Sequence, residues 1–367
     1  MSPIKPQRGL DNVAPYVPGK PIKEVERELG LTGVVKLASN ENPLGPSPKA
    51  VEALREGIEL VYFYPDGQSY DLRQALAKHL NVDPSWIIVG NGADGVILVT
   101  CMSYLDEKSE VVVSKHSFPM YDIFSSAMRA KMVKVPTKDY GLDLRGMFDA
   151  ITSRTTLVFV CNPNNPTGTL VRSKEVEEFM ERVPDSVLVV FDEAYFEFAC
   201  SEDFPDTLKY LREGRENVLI LRTFSKAYGL AGLRLGYGIG SQGIIETLNR
   251  VKEPFAVNIL AQMAGIKALE DEEFVRLSVK IVNEGKDYLY GEFRRLGLSY
   301  VRSYTNFILL EAGKKAKEIS DRLLHKGVIV RPCGGYDLPF HLRVTVGTME
   351  QNERFIKVLE EILQEVR

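Results

Sequence analysis

An α/β fold is what this sequence predicts: a mostly parallel central sheet with helices on both faces, followed along the chain by a smaller α+β domain. Three observations lead there. Strand-length apolar runs alternate with amphipathic helical stretches through the middle of the chain. Near Ser241 the alternation gives way to long helices, and short strands return only towards the C-terminus. At 367 residues the chain exceeds one comfortable core, so a large and a small domain are expected.

Residues 1–45 come first and are expected to form an arm. They are rich in Pro and Gly, and Pro15-Tyr16-Val17-Pro18-Gly19-Lys20-Pro21 forbids a helix before Ile22, because proline lacks the N–H that a helix interior requires. The large domain is expected over 46–265. Its strands are read at Ile87 to Val89, Val111 to Val113, Met132 to Val135, Leu157 to Val160, Val187 to Phe191, Val218 to Leu221 and Tyr237 to Ile239. The small domain is expected over 266–367. It opens on a helix from about Glu270 to Leu296 and continues with strands at Asn306 to Leu310, Val328 to Val330 and Leu342 to Val346. A helix lies between the first two of these strands, from Lys314 to Leu324, and another follows Thr348.

Composition removes several function classes. A net charge of −4, with no long Lys/Arg run, argues against a nucleic-acid partner, whose binding needs many cations to release counterions. Met1-Ser2-Pro3-Ile4-Lys5 has no apolar signal core and no stretch nears about 18 apolar residues, so a cytoplasmic protein without a membrane span is expected. Cys101, Cys161, Cys200 and Cys333 lack CxxC spacing, which leaves no basis for a metal site or a disulfide framework. His79, His116, His325 and His341 show no HExxH or paired spacing.

The chemistry concentrates in three motifs. In Thr223-Phe224-Ser225-Lys226-Ala227-Tyr228-Gly229-Leu230-Ala231-Gly232-Leu233-Arg234, one lysine stands among small hydroxyl residues and an arginine, just after an apolar strand. That set suits a phosphorylated aldehyde such as pyridoxal phosphate: the amine condenses with the aldehyde, while Thr223, Ser225 and Arg234 donate to the dianion. Upstream, the run Val187 to Val190 closes on Phe191-Asp192-Glu193-Ala194-Tyr195, which puts Asp192 at the carboxyl edge of a sheet, where α/β ligands bind. Such a carboxylate is the partner a pyridinium nitrogen needs. Earlier still, Cys161-Asn162-Pro163-Asn164-Asn165-Pro166-Thr167-Gly168 is a proline-stiffened loop that can aim an asparagine amide inward. A fourth segment, Gly90-Asn91-Gly92-Ala93-Asp94, follows a strand and opens a helix, offering backbone N–H groups to an anion.

In this order the motifs resemble the fold-type I aminotransferases that use pyridoxal phosphate, and the resemblance covers nearly the whole chain. It implies that Lys226 is the catalytic lysine joined to the cofactor, that Asp192 partners the ring nitrogen, and that Tyr195 and Asn165 donate to the cofactor's phenolic oxygen. It further implies that Gly92, Ala93 and Asp94 form the second wall of the phosphate site and that Tyr121 stacks on the ring. By the same resemblance Tyr64 reaches into a neighbouring subunit, which would make the enzyme a homodimer with shared active sites. Gly95 departs from the family, which usually has an acidic residue there.

Within that family the narrower likeness is to the histidinol-phosphate aminotransferases, carried by Pro15 to Pro21, by Lys36-Leu37-Ala38-Ser39-Asn40-Glu41-Asn42-Pro43 and by Val328-Ile329-Val330-Arg331-Pro332 ahead of Leu342 to Gly347. It implies that the arm, with Asn42, crosses the site mouth. Arg331 and Arg343 would grip the substrate phosphate with Tyr16 nearby, and glutamate would present its α-carboxylate to Arg343. The reaction implied is L-histidinol phosphate plus 2-oxoglutarate to imidazole-acetol phosphate plus L-glutamate, in histidine biosynthesis. Ala256 stands where the family generally has asparagine. Two rivals share the scaffold, an aromatic-amino-acid aminotransferase and a threonine-phosphate decarboxylase. A non-enzymatic pyridoxal-phosphate regulator would need a DNA-reading extension before the fold, and none is evident. An NAD-dependent dehydrogenase is suggested by Gly238-Ile239-Gly240-Ser241-Gln242-Gly243, but Asn258 to Leu269 reads as helix where that fingerprint needs a second strand.

Overall fold

The computed structural model describes residues 4, 7–11, 13–15, 18–199 and 203–366. Strands β1 (Val35–Leu37), β2 (Ile87–Asn91), β3 (Glu110–Ser114), β4 (Lys131–Val135), β5 (Thr155–Cys161) and β6 (Leu188–Asp192) are followed by β7 (Val218–Thr223), β8 (Leu235–Gly240), β9 (Ser299–Val301), β10 (Phe307–Glu311), β11 (Val328–Pro332) and β12 (His341–Thr345). Seven of them form one sheet in the order β2-β8-β7-β6-β5-β3-β4. Neighbours from β4 across to β7 run parallel, and β8 lies antiparallel between β7 and β2.

The inner strands β5, β6 and β7 carry near-continuous apolar runs because helices cover both faces, whereas the edge strand β4 exposes Lys131 and Lys134. Val158, Val160, Val189, Phe191 and Ile220 point into one core, and Leu157, Phe159, Val190, Leu219 and Leu221 into the other. That is period-two alternation with both sides buried. Gly236 in β8 has a structural reason: a Cβ there would meet the backbone N of Ala93 at 2.3 Å, so only glycine lets β8 pass behind the start of the helix Gly92–Tyr104.

The second sheet, β1-β11-β12-β10-β9, has its own core of Val282, Leu289, Phe293, Phe307, Leu342 and Phe355. The long helix Glu272–Arg295 and the C-terminal helix Met349–Val366 pack against each other beside it. Two strands escaped the sequence reading. β1 belongs to the arm yet pairs parallel with β11, Val35 opposite Val328, and β9 pairs with β10. Each is three residues long, too short to carry a periodic signal. The arm's first α-helix does begin at Ile22, behind Pro21, and ends on Gly30 in the left-handed region at φ 66°, but a single 3-10 turn, Arg8–Leu10, precedes it where no helix was expected. Among the described residues no helix is long and apolar enough to cross a membrane, and Cys101, Cys161 and Cys333 are buried free thiols.

Candidate functional site

Parallel strands end on the same edge of a sheet, and here that edge carries the motifs. Asp192 is the last residue of β6, Thr223 of β7 and Cys161 of β5, with Cys161 directly in register with Asp192. A cavity of about 290 Å³ opens over them. It brings together Ala93, Asp94, Asn165, Asp192, Tyr195, Thr223, Ser225, Lys226, Arg234 and Arg343, all singled out from the sequence.

Lys226 is half-buried at the centre, its Nζ 3.4 Å from the Ser39 carbonyl and 5.5 Å above the Tyr195 ring. Burial, and after it the positive charge of Arg343, lower its pKa to about 8. An amine so tuned is roughly one-tenth neutral, hence nucleophilic, at neutral pH, far more than an ordinary lysine.

Asp192 is buried opposite. Its Oδ1 accepts the Ala194 N–H at 3.1 Å and its Oδ2 accepts the Tyr121 hydroxyl at 2.5 Å. Desolvation pushes its pKa up to about 6, and those two hydrogen bonds hold it down against that push.

The third wall is an anion cradle. Ser225 Oγ accepts from the Thr223 hydroxyl at 3.0 Å and lies 3.5 Å from Arg234 Nη1, while Arg234 Nη2 reaches Asp94 Oδ2 at 3.2 Å. Gly92, at φ 70°, begins the adjacent helix, and a Cβ on it would come within 2.7 Å of Arg234 Nη2. Hydroxyls, a guanidinium and a helix N-terminus therefore converge on one spot, which suits a phosphate dianion.

The facing wall comes from the proline-stiffened loop and the second sheet. Asn162 and Asn164 spend their side chains on the loop itself, Asn162 pairing with the Val171 backbone and Asn164 donating to the His116 carbonyl, which leaves Asn165 to face the cavity. Arg343 Nη1 donates to Asn165 Oδ1 at 2.5 Å and its Nη2 to the Ala38 carbonyl at 3.0 Å. Tyr195 Oη accepts from Asn40 Nδ2 at 2.9 Å.

Three residues assigned to this cavity from the sequence fall elsewhere. Tyr121 does not face the cavity: it is fully buried, its ring stacked on Phe159 with centroids 4.4 Å apart and planes 10° from parallel. Phe118 lines the cavity in its place, sitting at the extended N-cap of the helix Pro119–Ala127 while Tyr121 turns onto that helix's inner face. Asn42 does not line the cavity either. Its Nδ2 donates to the Ala227 carbonyl and to Ser278 Oγ, both at 2.9 Å, so it ties the arm to the segment after Lys226, and Ser39, Asn40 and Glu41 line the mouth instead. Arg331 lies directly opposite Arg343 across β11 and β12 but lines a neighbouring cavity of about 500 Å³, beside Pro15 of the arm, Asp122 and Tyr336. Tyr64 is 82% exposed and stacked on Phe255 at 4.6 Å, away from its own chain's cavity. Tyr16 lies outside the described residues.

The sequence reading missed Phe118, Asn40 and Cys161. Asn40 had a signal of its own kind: it adopts φ 58°, a conformation asparagine tolerates better than most residues, and Thr345 Oγ1 both accepts its N–H and donates to its Oδ1.

Residues 32–359 match the family model described as aminotransferase class I and II. A histidinol-phosphate aminotransferase of Moorella thermoacetica is 51% identical over 98% of this chain and 93% of its own length. Among solved structures, the histidinol-phosphate aminotransferase of Sinorhizobium meliloti in complex with pyridoxal-5'-phosphate superposes with a TM-score of 0.91 at 28% identity, over 100% of this chain and 99% of that one. The L-threonine-O-3-phosphate decarboxylase of Porphyromonas gingivalis superposes with a TM-score of 0.79 at 25% identity, over 90% of this chain and 100% of that one. The scaffold is thus common to both reactions.

Proposed function

The chain belongs to the class I and II aminotransferase family, and on that footing we propose that it transfers the amino group of L-histidinol phosphate to 2-oxoglutarate, using pyridoxal phosphate, to give imidazole-acetol phosphate and L-glutamate in histidine biosynthesis. The observation that carries this reading is one cavity holding a half-buried lysine with a lowered pKa, a buried aspartate and an anion cradle. That donor set fits the cofactor: Lys226 for its aldehyde, Asp192 for its ring nitrogen, Tyr195 and Asn165 for its phenolic oxygen, Phe118 for its ring face. Thr223, Ser225, Arg234 and the backbone at Gly92 and Ala93 take its phosphate. When bound, pyridoxal phosphate supplies an aldehyde that accepts the amino group and a protonated ring that withdraws electrons from the substrate's α-carbon.

Lys226 would hold the cofactor through its aldehyde and, when its amine is free, would be the base that takes a proton from the substrate Cα and the acid that returns one. Asp192, held by Tyr121 and Ala194, maintains the negative charge that keeps a ring nitrogen protonated. Arg343 offers a fork for a carboxylate or a phosphate, with Arg331 in the next cavity as the second cation. Two arginines side by side suit an enzyme that alternates between a phosphate monoester and a dicarboxylate. Initial rates with histidinol phosphate, phenylalanine, tyrosine and threonine phosphate, read as glutamate formed or carbon dioxide released, test the substrate. We expect the highest kcat/KM with histidinol phosphate. A higher value with an aromatic amino acid, or carbon dioxide from threonine phosphate, overturns the choice.

The working unit we propose is a cytoplasmic homodimer, divided in each chain into an arm (1–45), a large domain (46–265) and a small domain (266–367). Separate cores around the two sheets support the division, although β1 ties the arm to the small-domain sheet. An exposed apolar patch of Ile58, Val61, Tyr62, Phe63, Tyr64 and Phe255 supports the dimer, since so much apolar surface in one place marks an interface. Tyr64 in that patch would complete the partner's cofactor site. Mixing Tyr64→Phe and Lys226→Ala chains, each weak alone, should restore activity to about a quarter of wild type, because half the dimers are mixed and each has one intact site. Activity fixed at the parental average, despite proven subunit exchange, would place Tyr64 outside the partner's site.

A further inference from the structure

We propose that Tyr121 is a positioning residue for the transfer: its hydroxyl, donated to Asp192 Oδ2 across the end of β5, holds the aspartate in its charged form, so that the proton between aspartate and cofactor stays on the ring nitrogen. The inference rests on the transamination reading above and assigns Tyr121 a task other than stacking on the ring.

Geometry fixes the aim of this hydroxyl. Tyr121 stands on the helix that follows β3, Phe159 on β5 and Asp192 at the tip of β6, so the side chain spans one strand to reach the carboxylate. Its ring is clamped on one side by Phe159, stacked at 4.4 Å, and edge-on by Phe118, with centroids 5.7 Å apart and planes at 83°. Phe118 also forms the cavity wall, which couples the clamp to whatever lies over it. Tyr121 keeps its proton and so can donate to the carboxylate, because burial first and the Asp192 charge second raise its pKa well above the usual tyrosine value.

The balance at Asp192 shows why the donor matters. Burial favours the neutral acid, and so do the nearby charges of Asp94 and Glu193. Against them stand the Tyr121 hydroxyl and the Ala194 N–H. Cys161, in register with Asp192, is pushed far above the ordinary thiol range by burial and stays neutral. Aspartate and ring nitrogen have one proton between them, and stabilising the carboxylate leaves that proton on the ring. Removing the hydroxyl should therefore weaken the electron sink without touching the groups that bind substrate.

Tyr121→Phe keeps the clamped ring and deletes only the donor. Reconstituted with cofactor labelled with 15N at the ring nitrogen, the variant should show a ring resonance moved towards unprotonated pyridine. Its kcat should fall about tenfold, with KM for the amino donor unchanged. A ring resonance identical to wild type overturns the proposal whether or not kcat falls, since a slower rate alone would mark a packing effect. Should the variant take up no cofactor, the Asp192 carboxyl band of the cofactor-free protein, identified in the infrared against Asp192→Asn, should titrate higher than in wild type. An unchanged titration overturns the proposal equally. Wild-type protein without transaminase activity would sink the functional reading, while the infrared comparison would still report on the Tyr121–Asp192 contact.

Discussion

Lys226→Ala should abolish the visible absorbance of lysine-linked cofactor and lower transamination by roughly three orders of magnitude or more, because positioned acid–base catalysis alone contributes about 10²–10⁴-fold and the covalent anchor goes with it. The size of the effect follows from the surroundings. Among the described residues Lys226 is the one amine lining the cavity, and burial there brings its pKa down to about 8, whereas an exposed lysine would be almost wholly protonated at neutral pH. Alanine removes a side chain from a space already open to ligand, so folding should be spared, and an unchanged melting transition would separate chemistry from stability. Turnover near the wild-type level in that variant would remove Lys226 from the mechanism.

Asp192→Asn should retain much of its cofactor yet lose most of its rate, by roughly ten- to over a hundredfold, the kinetic equivalent of the ~1.5–3 kcal/mol that a hydrogen bond to a charged group contributes. Asparagine fills the same buried volume at the tip of β6 and can still accept from Tyr121, so what disappears is the charge. Single-turnover rates of Cα proton removal, measured at saturating cofactor, are the check. A variant whose cofactor affinity collapses while its loaded fraction turns over normally would make Asp192 a binding residue only.

How much of this was legible in the sequence depends on what each residue does locally. Asp192, Thr223 and Lys226 were legible because a run of apolar residues ending in a polar one marks the carboxyl edge of a parallel strand, and that edge is where the cavity lies. Phe118 and Tyr121 were confused because they stand three residues apart at a loop-to-helix junction, where one residue's difference in helix start decides which ring faces the cavity and which faces the sheet. Asn42 looked like a mouth residue from its place in the arm, but its amide is consumed by Ala227 and Ser278. Its neighbour Asn40 reaches Tyr195 through a left-handed turn that no periodicity announces. β1 was invisible for a related reason: its three residues become a strand only because β11, nearly three hundred positions away, supplies the partner.

The central claim, that Lys226 and Asp192 serve an amino transfer in two halves, is tested most directly by watching the bound cofactor's visible absorbance in the wild-type protein. Addition of L-histidinol phosphate alone should bleach the band of lysine-linked cofactor in a single turnover, with one imidazole-acetol phosphate formed per site, and later addition of 2-oxoglutarate should restore the band with one glutamate per site. A band that persists with histidinol phosphate, or bleaches and does not return with 2-oxoglutarate, would contradict the account.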